Sequence, residues 1–123
     1  MNRRALLALA PLAALSGCIT FHTVNDGVVR ARIGETVRVG VMAVKPEALL
    51  EDSRCPSGVQ CVWAGRVRIA ALVDGSPVEL TLGEAKPLPQ GRLTLVEVYP
   101  ARQKDTTLYP DEYRFGFTAS DQQ

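Results

Sequence analysis

Within the stretch DSRCPSGVQCVWAG, residues 52–65, the chain gathers two cysteines, its only tryptophan, two glycines and a proline. Cys55 and Cys61 have the most chemistry to offer, because a thiol pair can be a redox centre, part of a metal site or a crosslink. Redox thiols usually stand close together, as Cys-x-x-Cys, at a helix start that favours the thiolate. Here five residues intervene, and the segment that follows reads as strand. A metal centre needs three or four ligands at suitable spacing. The single histidine, His22, lies near the N-terminus, and Met42 sits in a strand pattern as a core or surface residue. The ligands do not add up to a site, so no metal and no cofactor is expected.

The third cysteine, Cys18, belongs to a different setting. Arg3 and Arg4 form a positive leader, Ala5 to Leu15 a short apolar run, and small residues precede Cys18. The run is far below the roughly 20 residues that cross a bilayer as a helix, and Pro11 interrupts it. Leu15-Ser16-Gly17-Cys18 closely resembles the lipobox of bacterial lipoproteins. That resemblance implies cleavage before Cys18, lipid on its sulfur, acylation of the new N-terminus and anchoring to a membrane. Ile19, where an aspartate would retain the protein at the inner membrane, resembles lipoproteins sent on to the outer membrane, which points to its periplasmic face. Residues 1–17 are then a cleaved signal, and 18–27 a lipidated tether ending in the turn signal Asn25-Asp26-Gly27. With Cys18 committed to lipid, Cys55 and Cys61 remain as an even pair in an exported protein, where an oxidising compartment favours a disulfide. Closing so short a loop restricts the unfolded chain by roughly 2 to 2.5 kcal/mol, a substantial share of a domain stability of about 5 to 15 kcal/mol.

Other chemistries fare less well. Glu51-Asp52 and Asp111-Glu112 are adjacent carboxylates, but strand neighbours point to opposite faces, so neither pair forms a two-carboxylate site. A distant pairing of Asp52 with Asp111 stays open. Ser53, Ser57 and Ser76 lack a G-x-S-x-G setting, and a Ser-His-Asp arrangement would have to recruit His22 from the tether. The chain is therefore read as no enzyme. Two of the 14 Lys and Arg leave with the leader, so 12 face 13 Asp and Glu, a balance that argues against nucleic acid as a partner. Arg30, Arg32, Arg38, Arg66 and Arg68 all fall on the polar sides of alternating segments. If those strands were neighbours, the five would form a positive stripe able to meet anions. Otherwise they pair across strands with Glu35, Glu79 and Glu97.

Alternation of apolar and polar residues dominates beyond the tether. VVRARI sets Val29, Ala31 and Ile33 on one side, and TVRVGVMAV sets Val37, Val39, Val41 and Ala43 against Arg38. From Cys61 to Val73 every odd position is apolar or small, which predicts one long strand with a bend or bulge at Gly65. Trp63 then shares a face with Cys61 and covers the bridge. Asp74-Gly75-Ser76 is a hairpin signal, and PVELTLG returns with Val78, Leu80 and Leu82 aligned. EAKPLPQG reads as a loop, RLTLVEVYP as a strand whose phase slips between Leu95 and Val96, and YRFGFTA as a strand burying Tyr113, Phe115 and Phe117. KPEALLED is either a helix opened by Pro46 or an extended edge segment. PARQKDTTLY, framed by Tyr99-Pro100 and Tyr109-Pro110, is a long polar connection.

The string D-S-R-C-P-x4-C-x-W-A-G, carried by Asp52, Ser53, Arg54, Cys55, Pro56, Cys61, Trp63, Ala64 and Gly65, resembles a signature of small exported bacterial β-domain lipoproteins. The resemblance implies fold and location and brings no activity with it. The expected architecture is one all-β domain over residues 28–119, a small antiparallel β-sandwich or partly open barrel stapled by one disulfide, with 120–123 a tail. Its expected role is a noncatalytic binding or envelope-assembly module contacting an envelope protein or a cell-wall polymer. A small-ligand or anion binder using the arginines is the first rival, and a thiol oxidoreductase or other enzyme the second. Asp52, Arg54 and Trp63 form the candidate interaction corner: Asp52 and Ser53 suit the turn, and Arg54 either pairs with Asp52 or lies along Trp63.

Overall fold

The structure, a computed structural model, describes residues 26–121. Eight strands run in chain order: β1 Val29–Ala31, β2 Val37–Val39, β3 Met42–Asp52, β4 Val67–Val73, β5 Ser76–Thr81, β6 Ala85–Leu88, β7 Gly91–Tyr99 and β8 Arg114–Ser120, with a 3-10 turn at Pro110–Glu112. They form two separate four-stranded sheets, of order β1-β8-β7-β6 and β2-β3-β4-β5. Every strand pair is antiparallel. The expectation of an all-β domain resolves into a sandwich rather than a barrel, and β8 runs one residue beyond the expected boundary at 119.

The core lies between the sheets and follows strand alternation. The first sheet contributes Ala31, Leu93, Leu95, Val98, Phe115 and Phe117, and the second Val39, Met42, Val44, Val67, Ile69, Ala71, Val73 and Leu80. Tyr113, just before β8, stacks on Phe115 with ring centroids 5.9 Å apart. Phe115 and Phe117 are fully buried, and removing a buried phenylalanine ring costs about 3–5 kcal/mol.

Three sequence expectations are corrected and one open alternative is decided. TVRVGVMAV is a hairpin, not one strand. Val39 pairs with Met42, and Gly40 turns between them at a φ of 58°. The turn resets the phase, so Met42 and Val44 are buried while Val41 is exposed. KPEALLED, open between a helix and an extended edge segment, is extended: it is the part of β3 beyond its pairing with β2, which ends at Val44, and in the sheet it pairs with β4 alone. Pro46 is buried beside a register shift between Pro46 and Ala48, the setting in which a strand tolerates proline. EAKPLPQG contains β6, whose Pro87 is admissible because β6 is an edge strand. Finally, β4 begins at Val67 rather than Cys61.

Other expectations hold. Asp74 and Gly75 make the β4–β5 turn at φ values of 50° and 82°, β7 slips register between Leu95 and Glu97, and Tyr113, Phe115 and Phe117 are buried together.

Candidate interaction site at the disulfide loop

The site lies at the end of the sandwich where β3 leaves the second sheet. Cys55 and Cys61 form a disulfide with their Cα atoms 5.9 Å apart. Cys55 is exposed and Cys61 half-buried. The residues just before the bridge do not point outward. Arg54 grips the Asp52 carboxylate with two parallel hydrogen bonds, Nε to Oδ1 and Nη2 to Oδ2, each 2.8 Å. Such a fork is the strongest geometry for this pair. The same guanidinium donates to the carbonyls of Val98 and Pro100, each at 3.0 Å. Those carbonyls lie at the end of β7, in the other sheet, and just beyond it. The Tyr113 hydroxyl donates to Asp52 Oδ2 at 2.7 Å. One ion pair therefore ties the two sheets together at this end.

The pair is nearly out of water, with side-chain exposures of 5% for Asp52 and 18% for Arg54. Burial pushes the Asp52 carboxyl up, but the hydrogen bonds from Arg54 and then Tyr113 outweigh it and hold the group below the usual carboxylate range. Arg54 is raised, first by its bonds to Asp52. Burial, then the bond to Asp52, pushes the Tyr113 hydroxyl up to about 12.

The disulfide loop is fixed on both flanks. Arg102 donates to the Arg54 carbonyl at 2.7 Å, and the Ser57 amide donates to the Arg102 carbonyl at 2.9 Å. Ser53 and Arg66 exchange backbone and hydroxyl hydrogen bonds of 2.9 and 3.0 Å. Gly65 packs directly on the Ser53–Arg54 backbone. A Cβ there would overlap the Ser53 carbonyl oxygen and lie 2.5 Å from the Arg54 Cα. Glycine is required by this close approach, not by a strand bend.

Trp63 overturns its expectation. With Cys61–Arg66 in a loop, no strand face aligns the indole with the sulfur bridge, and Trp63 is 61% exposed. Arg54 is engaged by Asp52 and β7 rather than lying along Trp63. Val59 and Val62 of the same loop are also exposed, Val62 at 96%. Of the proposed corner, Asp52 and Arg54 are structural and inward, and Trp63 is outward. The expectation for Cys18 lies outside the described residues, as does His22.

The five arginines do not make one stripe. Arg30 belongs to the first sheet, and Arg38 and Arg68 to the second. Arg30 binds Asp26 and Glu97, Arg66 binds Glu51, and Arg68 bridges Glu51 and Glu79. Pairing with Glu79 and Glu97 is as the cross-strand reading expects, whereas Glu35 forms no ion pair among the described residues. Arg38 reaches the Val41 carbonyl at 3.4 Å, and Arg32, just after β1, forms no ion pair among the described residues.

Tyr113 and Arg102 were not visible as site residues in the sequence, since they lie 61 and 48 positions from the groups they bind. Asp52 and Asp111 are not brought together as a carboxylate pair: Asp52 is bound by Arg54 and Tyr113, and Asp111 sits exposed on the 3-10 turn.

No protein-family model, curated protein or solved structure matches this chain.

Proposed function

We propose that this protein is a lipid-anchored, noncatalytic binding module of the cell envelope that contacts a partner protein through the tip of its disulfide loop. The observation that carries the reading is the division of labour in residues 52–65. Asp52, Ser53, Arg54, the two cysteines and Gly65 hold the loop in one shape, while Val62 and Trp63 are left facing water. An exposed tryptophan on a loop is a natural anchor for a partner, because truncating such residues at interfaces often costs about 2 kcal/mol or more. A loop already fixed by a crosslink and an ion pair also loses little entropy on binding. The anchoring part of the reading rests on the Leu15-Ser16-Gly17-Cys18 lipobox resemblance.

Two measurements test it. Metabolic labelling with a palmitate analogue should mark the protein and fail on Cys18→Ser. A photo-crosslinking residue placed at Val62 should give one discrete adduct in cells, and the same residue at Val41, on the opposite end of the sandwich, should give none. Equal, diffuse labelling from both positions would remove the loop as the contact surface.

A further inference from the structure

On the outer face of the first sheet, two strand residues and the residue just past a third strand come together. Tyr99 of β7 is the cross-strand partner of Arg114 of β8. Val98 and Phe115 are buried, so alternation turns Tyr99 and Arg114 outward. Ala31, the last residue of β1, pairs with Phe115, and Arg32 follows it into a turn beside Arg114; all three are exposed.

Two residues along the same face the outcome differs. Arg30 stands level with Gly116, which is level with Glu97, and Arg30 reaches over the glycine to bind Glu97 at 2.9 Å. Side-chain atoms there would intrude, since a Cβ on Gly116 would come within 2.9 Å of Glu97 Oε2. That arginine is neutralised. Among the described residues, Arg32 and Arg114 have no carboxylate within ion-pair distance and no side-chain hydrogen bond. Like charges lining one groove repel each other, and an anion between them would remove that cost.

These two arginines line a groove of about 560 Å³ together with Tyr99, Pro100, Asp111 and Glu112. The groove is open to solvent rather than enclosed. Tyr99 and Pro100 supply an apolar wall. Glu112 accepts the Tyr109 amide at 2.7 Å, and Asp111 is exposed beside it. A bare anion would satisfy the arginines but meet two carboxylates, and a neutral sugar would leave the arginine pair unrelieved. A ligand bearing both signs suits both sides.

We propose that this groove binds a small zwitterion, a ligand carrying a free carboxylate and a free ammonium, for which a short peptide serves as the probe. The carboxylate lies between the Arg32 and Arg114 forks, the aliphatic body rests against Tyr99 and Pro100, and the ammonium faces Asp111. The site does not involve Trp63 and stands independently of the disulfide-loop reading.

The test is an amide NMR titration of the ¹⁵N-labelled full chain in detergent with three probes: the tripeptide Ala-Glu-Lys, its form with both amines acetylated and both carboxyls amidated, and inorganic phosphate. The tripeptide should shift the amides of Arg32, Tyr99 and Arg114, saturating with a Kd below about 1 mM, and the blocked peptide should bind at least tenfold more weakly. Combined Arg32→Gln and Arg114→Gln should weaken tripeptide binding at least tenfold, whereas Trp63→Ala should leave it unchanged. Phosphate binding as tightly as the tripeptide would make this a simple anion site and overturn the zwitterion assignment. So would unshifted amides, or an unchanged Kd in the double variant.

Discussion

The hydroxyl of Tyr113 and the Oδ2 of Asp52 are 2.7 Å apart, joining the residue just before β8 of one sheet to the end of β3 in the other. Asp52 is thereby shared between Tyr113 and the Arg54 fork, and Arg54 in turn holds two carbonyls at the end of β7. This chain of bonds fixes the base of the disulfide loop, and four consequences can be measured.

Tyr113→Phe keeps the stacked ring and removes one hydrogen bond to a carboxylate, an interaction worth about 1.5–3 kcal/mol. Denaturant unfolding should show a loss in that range. Asp52→Asn should cost more, because it leaves the Arg54 guanidinium largely buried without its counter-charge. The two effects should be non-additive in the double variant, since both act on the same carboxylate. Simple addition would show that the hydroxyl and the ion pair act separately.

The same groups set a pH signature. The folded pKa of Asp52 is depressed, so its contribution is present above the unfolded value of about 3.9 and is lost as pH falls through the folded value. The folded pKa of Tyr113 is raised to about 12, so its contribution is complete below about 10 and is lost as pH rises towards 12. Melting temperature should fall at both extremes. Tyr113→Phe should flatten the alkaline limb, and Asp52→Asn the acid limb. A limb unchanged in its variant would contradict the assignment.

Cys55→Ser with Cys61→Ser removes a short local crosslink and should cost about 2 kcal/mol by chain entropy. The Asp52–Arg54 pair lies outside the closed loop, so the sandwich should remain folded with a markedly lower melting temperature. No loss of stability would remove the clamp role of the bridge.

Gly65→Ala should destabilise by at least about 2 kcal/mol, because its Cβ would meet the Ser53–Arg54 backbone rather than a flexible side-chain end. Gly58→Ala is a useful comparison. Its φ of 81° makes the substitution strained, but its added Cβ would have open space, so the cost should be smaller. Equal effects at the two positions would show that steric overlap at Gly65 is not the cause.

The strand content was legible because β1, β4, β5, β7 and β8 bury one side, and period-two alternation records burial directly. It misled where a two-residue turn preserved the appearance of alternation. Val39-Gly40-Val41-Met42 reads as continuous strand, yet the turn moves Met42 to the core side and Val41 to water. It misled again at Cys61–Arg66, where small and apolar residues extend the β4 pattern backwards although Gly65 is recruited to a loop contact. Of the corner, Asp52 with Arg54 was readable as a local pair, as were the cysteines. The partners from β7, Arg102 and Tyr113 were not, because contacts across the two sheets leave no local trace. Arg32 could be singled out only as one arginine among five. Its register with Arg114 and Tyr99 depends on how β1, β8 and β7 are ordered, which alternation does not encode.

Trp63 is displayed by the loop rather than used to build it, so Trp63→Ala, with unfolding and photo-crosslinking from Val62 measured on the same variant, should keep a stability within about 0.5 kcal/mol of the parent, as for a surface substitution, and lose the partner adduct. A large fall in stability with the adduct retained would contradict it, and would return the indole to a structural role beside the disulfide.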